Sequence, residues 1–352
     1  MSNRFSFIYK FKHVTKNPTR IPEMLYAGAE LAIGKLKQHR RELGLSLILL
    51  ICSLISLFVG VADISISDII NQNTEKLQLV FISRIPRTVS LIIAGVGLSV
   101  SGLIMQQMTQ NKFVSPTTAG SLDAAKMGIL ASIILIPASS MLFKALFAFA
   151  FTFLASLIFL KMVESIRYRN VVFVPLIGLM FGGILSSIST FTAVNLNIVQ
   201  QMNAWMMGDF SGILEGRYEL IYVSLPATIL TYLYANKFTV VGMGQDFAKN
   251  LGLNYRAVMN IGLFCVSLTV SAVMIIAGSI SFLGLVVPNI VSIIYGDNIK
   301  KTLPFVALFG STFLVICDII GRLVIFPYEI PIGMMVGVIG GVIFLILLLR
   351  QR

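Results

Sequence analysis

Two arginines three residues apart, Arg84 and Arg87, stand in the stretch SRIPRT at residues 83–88, just ahead of a long apolar run. Guanidinium groups at this spacing can grip carboxylates through paired, charge-assisted hydrogen bonds. Pro86 between them suits the first turn of a helix. Two kinds of work are open to the pair. One is docking the acidic side chains of an external partner, and the other is anchoring at a membrane–water boundary by snorkelling. Asp318 and Arg322 are four apart and can pair on one helix face. Asp123 and Lys126 are three apart inside an apolar run, where charge is costly. Their spacing favours mutual neutralisation that braces a bundle. The competing use is a proton-coupled carrier that works through Asp123.

Covalent chemistry is not indicated, since no nucleophile–base pair is legible. Cys52, Cys265 and Cys317 are scattered through apolar runs, and such cysteines read as small core residues, not a disulfide framework. Both histidines, His13 and His39, fall in the first 44 residues. A path for a bare transition metal needs clustered soft or imidazole ligands. The cargo is therefore expected to arrive already chelated, with no metal site in this chain. Residues Gly28 to Lys35 have the outline of a phosphate loop. Five residues separate the glycines, no strand precedes them, and Leu36 stands where Ser or Thr belongs. No nucleotide site is expected, so any ATP and Mg belong to a separate ATPase.

The elements that must position these residues are helices in a membrane. Of the 352 residues 57% are hydrophobic and 12% charged, and mean hydropathy is +0.90. A soluble domain carries about twice that charge. Apolar runs recur from about Leu45 to Leu349 without the alternation of barrel strands. Run length predicts about ten spans, near 45–64, 88–108, 117–137, 140–160, 171–193, 218–235, 257–277, 280–295, 303–321 and 331–349. The fold class is thus all-α and polytopic, with a basic tail at residues 1–44 and a membrane domain at 45–352. The tail carries nine Lys or Arg and no run of signal-peptide type. Its stretch from Pro22 to Arg41 is either an amphipathic helix on the inner leaflet or an unstructured tail. With the N-terminus inside, 20 of the 27 basic residues fall in cytoplasmic segments. Both termini are then cytoplasmic, while Arg84, Arg87, Arg217 and Arg322 lie outside.

One stretch, GMGQDFAKNLGLNYRAV at residues 242–258, is far more polar than its flanks. Phe247 and Leu251 are four apart and make a small apolar face. Gly252 suits a helix stop and Asn254 a helix start. Small residues at Gly278, Ser279, Ser281 and Gly284 allow close helix approach, and Pro288 breaks or kinks a span. Met202, Trp205, Met206 and Met207 either cushion a bulky cargo or pack an interfacial helix.

These pieces resemble the iron–siderophore and vitamin B12 family of ABC importer permeases. The resemblance runs from about Leu45 to Leu349. It is carried by RIPR (84–87), GLIMQQ (102–107), SPTTAG (115–120), WMMGDF (205–210), MGQDFAKNLGLN (243–254), FLGLVVPN (282–289) and PYEIPIG (327–333). It implies the large type II importer permease fold in the bacterial cytoplasmic membrane, working as a dimer. It also implies two cytoplasmic ATPase subunits and an external substrate-binding protein, with no nucleic-acid partner. Arg84, Arg87 and Arg322 match positions that dock the binding protein, with Asp318 orienting Arg322. Gly244, Gln245, Asp246, Phe247, Leu251 and Gly252 match the helix that couples to the ATPase. Asn111, Pro116, Gly120, Gly284, Pro288, Pro331 and Gly333 match gating or helix-packing positions.

The sequence departs from the family at QNKFV (110–114), Asn289 and Asn298, where the family often has Arg-Asn-Pro-Leu-Ala, His and His. The stretch from Gln110 to Gly128 is similar to the subgroup that imports catechol-type ferric siderophores. Members of that subgroup usually work beside a second, different permease, so a heterodimer is expected, with a dimer of two copies of this chain as the alternative. Heme or vitamin B12 is the alternative cargo, and a proton-coupled carrier or a non-transporting scaffold is a more remote reading.

Overall fold

The computed structural model describes residues 21–60, Asp68, Asn71, 74–166 and 172–350. It divides into two units, residues 1–47 and 48–352. The first unit contributes the beginning of helix α1 (Ile21–Phe58). The expected interfacial stretch from Pro22 lies within that helix, but the side chains through Lys37 lie outside the described residues, as do His13, Arg167, Arg169 and Arg352.

The second unit is a helical bundle. After α2 (Thr74–Leu79), a single π-helical turn over Val80–Arg84 leads into α3 (Ile85–Thr109). Then come α4 (Ser121–Leu135), α5 (Met141–Glu164), α6 (Phe173–Asn195) and the short α7 (Val199–Trp205). A 3-10 turn over Glu219–Val223 opens α8 (Ser224–Gly242), which runs to the six-residue α9 (Gln245–Asn250). The chain ends with α10 (Tyr255–Ala277), α11 (Leu283–Tyr295), α12 (Ile299–Leu323) and α13 (Ile332–Arg350).

Seven helices among the described residues are long and apolar enough to cross a membrane. Each of the ten expected segments holds a helix, but α4, α8 and α11 fall short of that standard. Helices α4 and α11 have 15 and 13 residues. At about 1.5 Å per residue they span roughly 20 Å of a hydrocarbon core about 30 Å thick. The expected span 117–137 starts late because SPTTAG folds as a turn. Ser115 N–H donates to Thr118 Oγ1 (2.9 Å), and Ser121 N–H donates to the Pro116 carbonyl (3.0 Å). Such irregular backbone is stable at membrane depth only when protein covers it, and Ser115, Pro116 and Gly120 are buried. The expected span 218–235 is displaced towards α9. Asn236 and Lys237 read as a polar end, yet α8 continues through them with the Lys237 ammonium 4.1 Å from the Tyr234 ring centre.

Helix α3 is the axis of the bundle, with 83% of its apolar stretch buried. It packs on α8, α10, α11 and α12. Its approach to α11 depends on two glycines: a Cβ on Gly102 would run into the carbonyl of Gly284. The corresponding figures for α6 and α13 are only 22% and 17%. Those two helices carry their apolar side chains on the outside of the bundle.

Candidate functional sites at the two ends of the bundle

One end of the bundle, the outer end by the charge count, holds the arginines. Asp318 is buried on α12 and accepts from two of them. Arg87 donates through Nε (3.1 Å) and Nη2 (2.7 Å) to Asp318 Oδ1, while Arg322 Nη2 donates to Oδ2. Arg87 Nη1 also donates to Glu329 Oε2 at 2.7 Å. The Val59 carbonyl after α1 is shared as well, taking Arg322 Nη1 (2.7 Å) and Arg84 Nη1 (2.6 Å). Ser56 completes the set, its carbonyl accepting from Arg322 Nη1 and its Oγ from Arg322 Nη2. Three guanidiniums thus face two carboxylates. Arg87 and Arg322 are buried, while Arg84 is partly exposed and hydrogen-bonds only a backbone carbonyl among the described residues.

The sequence predicts the Asp318–Arg322 pair from its spacing, and the structure shows it. It does not predict that Arg87 shares the same carboxylate, because the two residues are 231 positions apart. Ser56, Val59 and Glu329 are also members that sequence reasoning missed. Glu329 could have been found, since it is the acidic residue of PYEIPIG. Val59 acts through its backbone and leaves no signature.

The opposite end carries the stretch between α8 and α10. Gly244 (φ +113°) turns the chain out of α8 and into α9. Ala248 is buried and seats the short helix. Leu251 lies one residue beyond it, yet its N–H still reaches the Phe247 carbonyl (3.2 Å), so both side chains share a face. That face is uncovered, with Phe247 48% and Leu251 61% exposed. Gln245 is partly exposed, and Asp246 and Gly252 are exposed. The helix closes as the sequence suggests. Leu253 N–H bonds the Ala248 carbonyl (3.0 Å), and Asn254 Oδ1 caps α10 at Ala257 N–H (3.1 Å).

The loop after α3 is bound beside this end. Buried Asn289 donates to the Lys112 carbonyl (2.8 Å), and Gln106 Nε2 donates to the same oxygen (3.0 Å). Asn111 is buried and accepts from Phe113 N–H (2.9 Å). Lys112 Nζ lies 3.1 Å from Asp297 Oδ1, and Ser292 Oγ donates to that oxygen. Burial alone would raise the Asp297 carboxyl, but the Ser292 and Lys112 hydrogen bonds win and hold it below the usual carboxylate range.

The remaining predicted residues are dispersed through the packing. Gly284 and Pro288 are buried in α11. Pro331 accepts from Met334 N–H (3.0 Å) at the start of α13, and Gly333 N–H donates to the Gly208 carbonyl (2.8 Å). Asp123 and Lys126 form no direct salt bridge. Lys126 Nζ instead donates to Ser186 Oγ on α6 (3.3 Å). A Cβ at Gly182 would lie 2.8 Å from Asp123 Oδ2, so a glycine on α6 makes the room for that carboxylate. Among the described residues no three His, Cys, Asp or Glu side chains cluster as a metal site would require.

Comparison with known proteins identifies the family. Residues 48–350 match the model of the FecCD transport family. The petrobactin import system permease protein YclN of Bacillus subtilis is 49% identical over 308 residues, covering 88% of this chain and 98% of that protein. The ferric-anguibactin transport system permease protein FatD of Vibrio anguillarum is 46% identical over 295 residues, covering 84% and 94%. Among solved structures, an ABC transporter assigned to the metal-chelate type, in an inward-facing conformation, superposes with a TM-score of 0.76. It shares 24% identity and covers 88% of this chain and 99% of the solved one. At that identity the likeness speaks to the fold.

Proposed function

This chain belongs to the FecCD transport family, and from that premise we propose that it is the transmembrane permease of an ABC importer carrying a ferric siderophore into the cytoplasm. The observation that carries the cargo class is near-full-length similarity to permeases for petrobactin and ferric anguibactin. The importer resides in the bacterial cytoplasmic membrane. The chain transports and catalyses no reaction of its own, and it holds no cofactor. ATP and Mg are bound by two partner ATPase subunits.

The geometry supports a division of labour. At the inner end, Phe247 and Leu251 present an uncovered apolar face on a short helix held at both ends, a shape suited to a groove on an ATPase. At the outer end, three guanidiniums against two carboxylates leave one positive charge in excess. An acidic side chain of an external binding protein would complete the set at Arg84. In this conformation Arg87, Asp318 and Arg322 serve as the buried frame behind that contact. A second permease, a different chain, would cover the exposed faces of α6 and α13. An apolar groove of about 520 Å³ between them, lined by Phe113, Leu176, Leu179, Phe282, Phe344 and Leu348, supports that placement.

The test is reconstitution of the permease pair, ATPase and binding protein in proteoliposomes. ATP-dependent entry of an iron-labelled catechol siderophore, blocked by vanadate and indifferent to a protonophore, is expected. Entry of heme or vitamin B12 in its place would reassign the cargo. Loss of uptake with the protonophore alone would overturn the ABC mechanism.

A further inference from the structure

A cavity of about 670 Å³ opens at the outer end of the bundle, away from the arginine cluster. It lies among the ends of α4, α5 and α10, the short α7 and the loop from Asp209 to Arg217. Two cations line it, Lys144 on the first turn of α5 and Arg217 on the loop. Among the described residues neither side chain has a hydrogen-bond or ion-pair partner. Asp209 is the one carboxylate on the wall. It is engaged by its own turn, with Oδ1 accepting from Ser211 N–H (2.8 Å) and Oδ2 from Ser211 Oγ (2.5 Å). Its backbone N–H is tied to the Ala277 carbonyl (2.7 Å). Glu219 stands behind the wall, its Oε1 accepting from Gly216 N–H (2.7 Å), so the side chains that line the cavity themselves set two cations against one carboxylate.

The rest of the wall mixes backbone and apolar side chains. Ile129 and Ile133 of α4 line it below the cations. On the side of the α5 turn away from Lys144, Leu142 (56%) and Leu146 (53%) are exposed, an apolar surface suited to acyl chains. Trp205, half-buried on the wall, is the residue type that sits at headgroup level. A small hydrated anion would satisfy the cations but not the apolar floor. An acyl chain alone would satisfy the floor and leave both charges unmet.

We propose that this cavity is a lipid site. It takes an anionic phospholipid whose phosphodiester lies between Lys144 and Arg217 and whose chain runs along Ile129 and Ile133. Such a lipid would act as a fixed part of the outer wall formed by α4, α5 and α10.

Native mass spectrometry of the assembled importer, exchanged into phosphatidylglycerol or phosphatidylcholine of matched chains, tests this directly. The wild type should hold phosphatidylglycerol about twenty-five-fold better than phosphatidylcholine. Lys144→Gln with Arg217→Gln should abolish that preference, since each basic group near a membrane surface contributes about a factor of five. The charge-preserving pair Lys144→Arg and Arg217→Lys should keep it, which separates lost charge from a damaged fold. Millimolar inorganic phosphate should not displace the lipid. Equal retention of the two lipids by the wild type, undiminished preference in the double Gln variant, or displacement by inorganic phosphate would each overturn the proposal.

Discussion

Asp318 holds Arg87 and Arg322 at once, one on each carboxylate oxygen, and so joins α3 to its own helix α12 at the outer end. All three side chains are buried. Asp318→Asn keeps the shape but leaves buried Arg322 with neutral partners alone, while Arg87 keeps Glu329. Breaking a buried pair in this way costs about 3–5 kcal/mol. Thermal unfolding of the purified importer should show a clear loss of permease stability. An Asn variant as stable as the wild type would mean that the guanidiniums find other partners.

Arg84 and Arg87 should part company under charge reversal. Arg84 is partly exposed, so Arg84→Glu should weaken binding-protein capture while leaving the permease folded and holding its ATPase. A charge-assisted contact of this kind contributes about 1.5–3 kcal/mol, or roughly ten- to a hundredfold in affinity. Arg87→Glu would face both Asp318 and Glu329 and should reduce the amount of folded permease instead. Binding-protein affinity at low salt, beside the yield of folded permease, distinguishes the two. Undiminished affinity in Arg84→Glu would remove Arg84 from the docking surface.

Much of this was legible in the sequence because membrane helices announce themselves by run length, and because pairs such as Asp318 and Arg322 sit one turn apart. The span 117–137 was misjudged for a physical reason. Apolar composition continues through SPTTAG, while the Ser115 and Thr118 side chains compete for the backbone and delay the helix to Ser121. Long-range partners were illegible: neither the Arg87–Asp318 contact nor the Asn289 bond to the Lys112 carbonyl has any local pattern. Asn289 did stand out as a departure from the family's usual His, and its structural work was visible only once α11 and the loop after α3 were seen together.

Asp123 and Lys126 test whether intramembrane charge here is structural. Lys126 reaches Ser186 on α6, and Asp123 occupies the space left by Gly182. Asp123→Asn combined with Lys126→Gln should retain most uptake. Either single change should do more harm, because the two charges, though not in direct contact, offset each other through space and one would be left alone. Loss of uptake in Asp123→Asn alone, with ATPase activity and assembly intact, would instead favour a proton-linked role.

Asp297 gives a pH signature at the inner end. Its folded carboxyl is held down by Ser292 and Lys112, so it adds stability above the unfolded value near about 3.9. That contribution is lost as pH falls through the lowered folded value. Unfolding measured from neutral pH down to the acid limit should show an acid-side loss that Asp297→Asn lacks. Identical acid profiles for the two proteins would show that the Lys112–Asp297 contact adds nothing in solution, as exposed pairs often do.

The inner helix yields the sharpest experiment. Helix α9 has six residues, too few to be stable alone in water. It is held from within by buried Ala248 and by the turns at Gly244 and Gly252, and its outer face is left to Phe247 and Leu251. Leu251→Asp leaves the inner anchoring untouched, because Leu251 points away from the bundle. The permease should therefore fold and should still capture its binding protein at the far end. If an ATPase groove covers that face, the new carboxylate is buried there without a partner, at a cost of several kcal/mol. The ATPase should then fail to co-purify, or should hydrolyse ATP without driving uptake. Leu251→Met keeps the apolar surface and should restore both. A Leu251→Asp importer that retains its ATPase and full uptake would place the coupling surface elsewhere on the inner end.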